Sequence, residues 1–123
     1  METREIERER WFDYFQALNH RLKGRPVRLQ IVGLELGDQR EGELVPLRGI
    51  TFSRKGSDIG GIDLTLGRLG GEIDHRIAHP VRIFEQLDAA GELLCLDIED
   101  REGRKTLLFL EPSVAIQQPQ PPT

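Results

Sequence analysis

The 123-residue chain predicts an α+β, mainly β fold, with an N-terminal amphipathic helix packed on a small, mostly antiparallel curved sheet of about six strands. Three observations carry this. Apolar residues near the start recur at helical period, and those after residue 26 recur at period two. Turn residues punctuate the second part about every ten positions.

The helix comes first. Trp11, Phe15, Leu18 and Leu22 stand at i, i+4, i+7 and i+11, one stripe that Phe12 widens. Glu5, Glu7 and Glu9 lie at its front and basic residues at its back, as the helix dipole favours. Gly24 suits the position just past a helix end and Pro26 forbids continuation, which places the helix at 7–22.

Strands follow. "VRLQIVG" (27–33) turns Val27, Leu29 and Ile31 to one face. "GELVPLRGITF" (42–52) is a longer strand interrupted at Pro46, which must then lie on an edge or at a bend. "GIDLTLG" (61–67) alternates Ile62, Leu64 and Leu66 with Asp63 and Thr65, between Gly-Gly pairs at 60–61 and 70–71 that suit tight turns. "DAAG" (88–91) and "DREG" (100–103) both put Asp first and Gly fourth, as in a type I turn closed by a left-handed glycine. They join strands near 80–87, 92–99 and 104–110 into a meander. This element order resembles SH3-like or Sm-like barrels, an analogy that does not fix function. Residues 1–112 form one domain. The Pro- and Gln-rich tail, 113–123, is expected to join neither helix nor sheet.

Composition narrows the function. With 37% hydrophobic and 31% charged residues the chain reads as globular. A lone Cys95 makes no internal disulfide, and the charged N-terminus is unlike a signal peptide. No apolar run approaches the ~20 residues that span a bilayer. The expected location is the cytoplasm, with no membrane partner. A net charge of −4 argues against a dedicated nucleic-acid binder. A basic cluster nevertheless occupies "HRLKGRPVR", where Arg21, Lys23, Arg25 and Arg28 accompany His20 and could contact phosphate. Arg21 and Lys23 equally suit the C-terminal end of a helix.

The stretch "GEIDHRIAHPVRIFEQ" (71–86) holds His75 and His79. On a helix that spacing could share a metal, but Pro80 disfavours helix at His79, and Ile73, Ile77, Val81 and Ile83 follow period two. Four residues along a strand span ~13 Å, whereas a shared zinc needs both rings within ~2.1 Å. The alternation instead sets His75, Ile77 and His79 on one face, partly buried, with Asp74 and Arg76 on the other. The two histidines are hydrogen-bonded strand residues or part of a polar ligand site.

Other chemistries find little support. "DIEDREG" (97–103) lacks the glycine and glutamate of a calcium loop at the required places. "GSDIGGIDLTLGRLGG" (56–71) matches no phosphate-binding signature. Ser53, Ser57 and Ser113 lie outside a nucleophile elbow. Cys95 sits among leucines and acids that raise a thiol pKa. No cofactor or metal is implied.

"TREI" at 3–6, Trp11, Phe15, Gly24, "LG" at 36–37, "LRGI" at 47–50, "LG" at 66–67 and the His75-x-Ile77-x-x-Pro80 element together resemble a family of small bacterial proteins. That family is catalogued as domain of unknown function 5335, and the likeness covers most of residues 3–110. The resemblance implies a bacterial, cytoplasmic, free-standing domain without an established activity. It directs attention to His75, since His79 and Cys95 fall outside the pattern. Three functional classes follow. The first is a non-enzymatic binding or interaction module that meets a protein partner through an exposed edge strand, with 42–52 as the candidate edge. The second is RNA or phosphate binding by Arg21, Lys23, Arg25 and Arg28, against which the aromatics count, because four of seven lie in the helix. The third is a small enzyme using His75 with a nearby carboxylate such as Asp74.

Overall fold

A computed structural model describes residues 2–33, 37–40, 44–54, 60–68 and 70–111. The apolar stripe near the start does form a helix, α1 (Trp11–Leu22), behind a single 3₁₀ turn at Arg8–Arg10. Trp11, Phe15, Leu18 and Leu22 are its buried residues. The expected start at residue 7 is therefore a tighter turn before the α-helix proper. The helix ends where the next N–H group leaves the helical ladder for a strand. Lys23 donates its N–H to Asn19 O, and Gly24, at φ +87°, donates its own to Leu47 O at 2.7 Å.

Among the described residues, nine strands form one antiparallel sheet: β1 (Glu2–Glu5), β2 (Pro26–Gly33), β3 (Gly37–Arg40), β4 (Val45–Phe52), β5 (Ile62–Arg68), β6 (Gly71–Ile77), β7 (Pro80–Leu87), β8 (Leu93–Asp100) and β9 (Lys105–Leu110). Their order is β1-β7-β8-β9-β2-β4-β5-β6, with β3 beside β2. Both Asp-x-x-Gly turns form as read. Asp100 Oδ1 accepts the N–H groups of Glu102 and Arg104 at 3.0 Å, Asp88 Oδ1 does the same for Ala90 and Glu92, and Gly91 and Gly103 take positive φ. Gly60 and Gly70 turn the chain on either side of β5.

Two differences from the expectation matter. The sheet is not closed into a barrel, because β1 and β6 are its ends. Nor is β4 an edge. Pro46 sits opposite Pro26 on β2, and β4 pairs with β5 from Leu47 to Phe52. The β2–β4 ladder holds only two residue pairs, so two prolines without N–H groups fit there at little cost. Beyond Val27 the same side of β2 pairs with β3 instead. The sheet thus divides at β2 into a six-stranded wing, β1-β7-β8-β9-β2-β3, and a three-stranded wing, β4-β5-β6.

One core fills the space between them. It joins Leu96, Ile98 and Leu108 of the larger wing to Leu47, Ile50, Ile62 and Leu64 of the smaller, and to the apolar stripe of α1. The Trp11 ring meets Phe52 edge-on at 5.8 Å, and its Nε1–H donates to Ile6 O at 2.9 Å. The sequence expectations for 55–59 and for the tail at 113–123 concern residues outside those described.

Candidate functional site

The parting of β2 and β4 creates the site. Past Leu47, the side of β4 away from β5 faces α1 rather than another strand. A helix cannot continue a ladder, yet one bond is restored, because Asn19 Oδ1 accepts the Ile50 N–H at 2.8 Å. Helix and strand meet closely at Asn19. Elsewhere they diverge into a cleft of about 770 Å³. Its apolar surface comes from Phe12 and Phe52, with Phe15 and Ile50 buried beneath them, and its polar groups from Gln16, His20, Arg21 and Thr51. The helix supplies Phe12, Gln16, Asn19 and His20 at i, i+4, i+7 and i+8, a second stripe beside the buried one. The Arg54 guanidinium lies 3.5 Å from the centroid of the Phe12 ring, a cation–π contact.

The cleft joins apolar and polar side chains in one concave surface. Size and apolar lining suit a buried ligand group, and a few convergent polar side chains can orient it. Asp13 and His20 both line it. Their Cα atoms lie seven residues apart on one helix, about 10 Å, well beyond the ~3 Å contact of an acid–base pair.

The residues singled out in the sequence scatter. His75, half-buried on β6, has Nε2 3.3 Å from the hydroxyl of Thr106 on β9, a contact that bridges the two wings. Its neighbour Asp74 faces the other way and accepts the Thr65 hydroxyl at 2.7 Å. His79 corrects the expectation. It is exposed in the bend after β6 rather than partly buried on the strand, and its carbonyl accepts the Arg101 N–H. The strand ends at Ile77 because Pro80 begins β7. In the basic cluster, Arg21 and Lys23 are exposed, and Arg21 lines the cleft. Arg28 pairs with Glu111 Oε2 at 3.1 Å, and Arg25 reaches the Glu111 carbonyl at 3.4 Å. Thr106 and Glu111 are five residues apart on and just past β9, roughly 16 Å for extended chain, so His75 and the Arg28 pair do not share a site.

Sequence reasoning missed two places. One is the cleft, which depends on the contact between Asn19 and Ile50, 31 residues apart. The other is a polar corner of about 320 Å³ lined by Arg4, Arg10, Tyr14 and Glu85. There the Tyr14 hydroxyl donates to Glu85 Oε2 at 2.8 Å. Burial, with the Glu85 hydrogen bond second, holds the Tyr14 phenol well above its ordinary pKa. Cys95 is buried, and desolvation followed by the nearby Asp97 charge pushes its thiol up to about 12. That makes it a packing residue at neutral pH. Among the described residues no helix is long and apolar enough to cross a membrane, and no cluster of three metal-ligating side chains occurs.

The chain belongs to the Family of unknown function (DUF5335), whose model matches residues 2–119, as the sequence resemblance implied. It is 30% identical over 118 residues to an uncharacterized protein of Aquifex aeolicus (strain VF5), a match covering 96% of this chain and 100% of that one. No solved structure matches it.

Proposed function

We propose that this protein is a non-enzymatic binding module that holds an apolar side chain of a partner polypeptide in the cleft between α1 and β4. The observation that carries the reading is the cleft itself, where the half-buried rings of Phe12 and Phe52 are ringed by Gln16, His20, Arg21 and Thr51. Capture by strand addition has less support. The terminal strand β1 is a run of exposed Glu2, Thr3, Arg4 and Glu5, and β6 exposes Glu72, Asp74 and Arg76. Charges so placed discourage a new strand from joining an edge. For RNA, Arg21 and Lys23 are exposed whereas Arg25 and Arg28 are engaged with Glu111. That leaves two of the cluster's four Lys and Arg side chains for phosphate, on a protein of net charge −4.

The test uses peptides selected from a phage-displayed random library, titrated into amide-labelled protein. Shifts should centre on Phe12, Gln16, Asn19 and Thr51, and the exposed Thr51→Trp substitution, which fills the cleft mouth, should abolish them. Peptides that shift other surfaces, or that bind Thr51→Trp undiminished, would overturn the reading. A mixed-sequence oligoribonucleotide titrated in parallel tests the rival. Shifts at Arg21 and Lys23 that fade as salt rises would favour RNA.

A further inference from the structure

The two faces of the larger wing are unlike. Its inward face belongs to the core. Its outward face is set by register: Phe84 stands opposite Asp97, which stands opposite Leu107, and in the next row Cys95 stands opposite Phe109. Phe84, Leu107 and Phe109 are half-buried, and beneath them Cys95 and Asp97 are 2% and 8% exposed. Charged pairs ring this apolar centre, Lys105 with Glu99 at 3.5 Å and Arg82 with Glu5 at 3.3 Å. An apolar middle with a polar rim is how protein interfaces are built. At the middle, Asp97 Oδ1 is buried without a hydrogen-bond partner. Among the described residues no element lies over this face, since α1 gives its stripe to the core and its Tyr14 to Glu85 on the inward side.

We propose that this outward face is where two copies of the chain meet, about a twofold axis that runs along the strands between β8 and β9. The register explains why a second copy fits. Such an axis sets each β8 residue against the partner's copy of its own β9 neighbour. Glu99 then faces the partner's Lys105, Cys95 faces the partner's Phe109, and Asp97 faces the partner's Leu107. The partner's Lys105, on its long stem, also comes within reach of Asp97 Oδ1 and supplies the missing donor. Every such contact occurs twice, as an isologous interface requires. An axis along the strands but centred on β8 would instead press Glu99 against its own copy.

The area suffices. Six strands at about 4.8 Å and six residues at about 3.3 Å make a face of roughly 29 by 20 Å. Two copies then cover roughly 1,150 Å² before side-chain relief is counted, just past the ~1,000 Å² at which specific interfaces begin. Such a dimer is modest in strength and dissociates on dilution.

Sedimentation velocity of the full chain, from low micromolar to sub-millimolar concentration, tests this. The mass should rise from 14.0 kDa towards twice that value as concentration increases. Leu107→Glu should hold the protein at the monomer mass with its circular dichroism unchanged. Glu99→Lys should weaken the dimer about tenfold or more, and adding Lys105→Glu should restore it, because the exchanged charges meet again across the axis. A wild type that stays monomeric throughout overturns the proposal. So does a Leu107→Glu variant that dimerises normally. Should Leu107→Glu fail to fold, the charge exchange decides alone, since both residues lie at the rim. Failure of the double exchange to restore the dimer would then sink the axis.

Discussion

Glu85 and Asp97 are carboxylates on neighbouring strands of one wing, 9% and 8% exposed, yet their surroundings are opposite. Glu85 points inward, accepts the Tyr14 hydroxyl at 2.8 Å and has Arg4 3.8 Å away. Asp97 points outward between Phe84 and Leu107, and its Oδ1 has no hydrogen bond. Burial raises its pKa, only partly offset by the Lys105 charge. Burial by itself therefore says little about a polar group. A satisfied carboxylate belongs to the architecture of the fold, whereas an orphaned one is a cost that the isolated chain carries.

Three comparisons sharpen this contrast, all measured in protein dilute enough to be monomeric. The largest effect belongs to the inward face. Leu96→Ala, at a fully buried position, should cost about 2–5 kcal/mol in chemical denaturation. Cys95→Ala, one residue away on the outward face, should cost about 1 kcal/mol. Equal losses would mean that the outward face is packed like the core.

Next comes Tyr14→Phe. It leaves Glu85 buried without its donor and should cost about 1–3 kcal/mol. Adding Glu85→Leu should recover part of that loss, because both partners are then gone. A double variant less stable than the sum of the two singles would show that Glu85 matters through something other than Tyr14.

The smallest effect has the opposite sign. The folded state favours the neutral form of Asp97. Its stabilising contribution is therefore complete below the ordinary carboxylate pKa of about 3.9 and is lost as pH rises through the higher folded-state value. Asp97→Asn is neutral at every pH. It should be more stable than the wild type at pH 7 by about 1 kcal/mol, and thermal melts should show the gap closing as pH falls towards 4. A gap that widened on acidification would contradict the assignment.

Much of the local structure was legible because its causes are local. The period of Trp11, Phe15, Leu18 and Leu22 gave the helix. Asp88 and Asp100 gave the two turns, since each side chain binds N–H groups two and four residues ahead. What could not be read was pairing over distance. The charged segment Glu2–Glu5 looks like the front of a helix and is a strand only because Phe84–Leu87 receives it. Pro46 looked like an edge marker, but the pairing of Pro26 with Pro46 is not written in either segment. The cleft was hidden for the same reason. Phe12 and Asn19 read as the flank of a helix until β4 is set beside them. The phosphate reading of Arg25 and Arg28 lacked Glu111, 83 residues from Arg28.

The strand order also bears on how the chain is made. β2 is finished at Gly33, but β9, its neighbour along most of its length, is finished only at Leu110. A chain leaving the ribosome at ~5–20 residues per second therefore carries β2 with one side unpaired for roughly 4–15 seconds. Until the last strand emerges, Val27, Leu29 and Ile31 have no Leu108 or Leu110 to lie beside, and the core between the wings cannot form. The core closes only once β9 is available, so a chain stalled before β9 presents an open, apolar strand to whatever chaperone or protease is nearby.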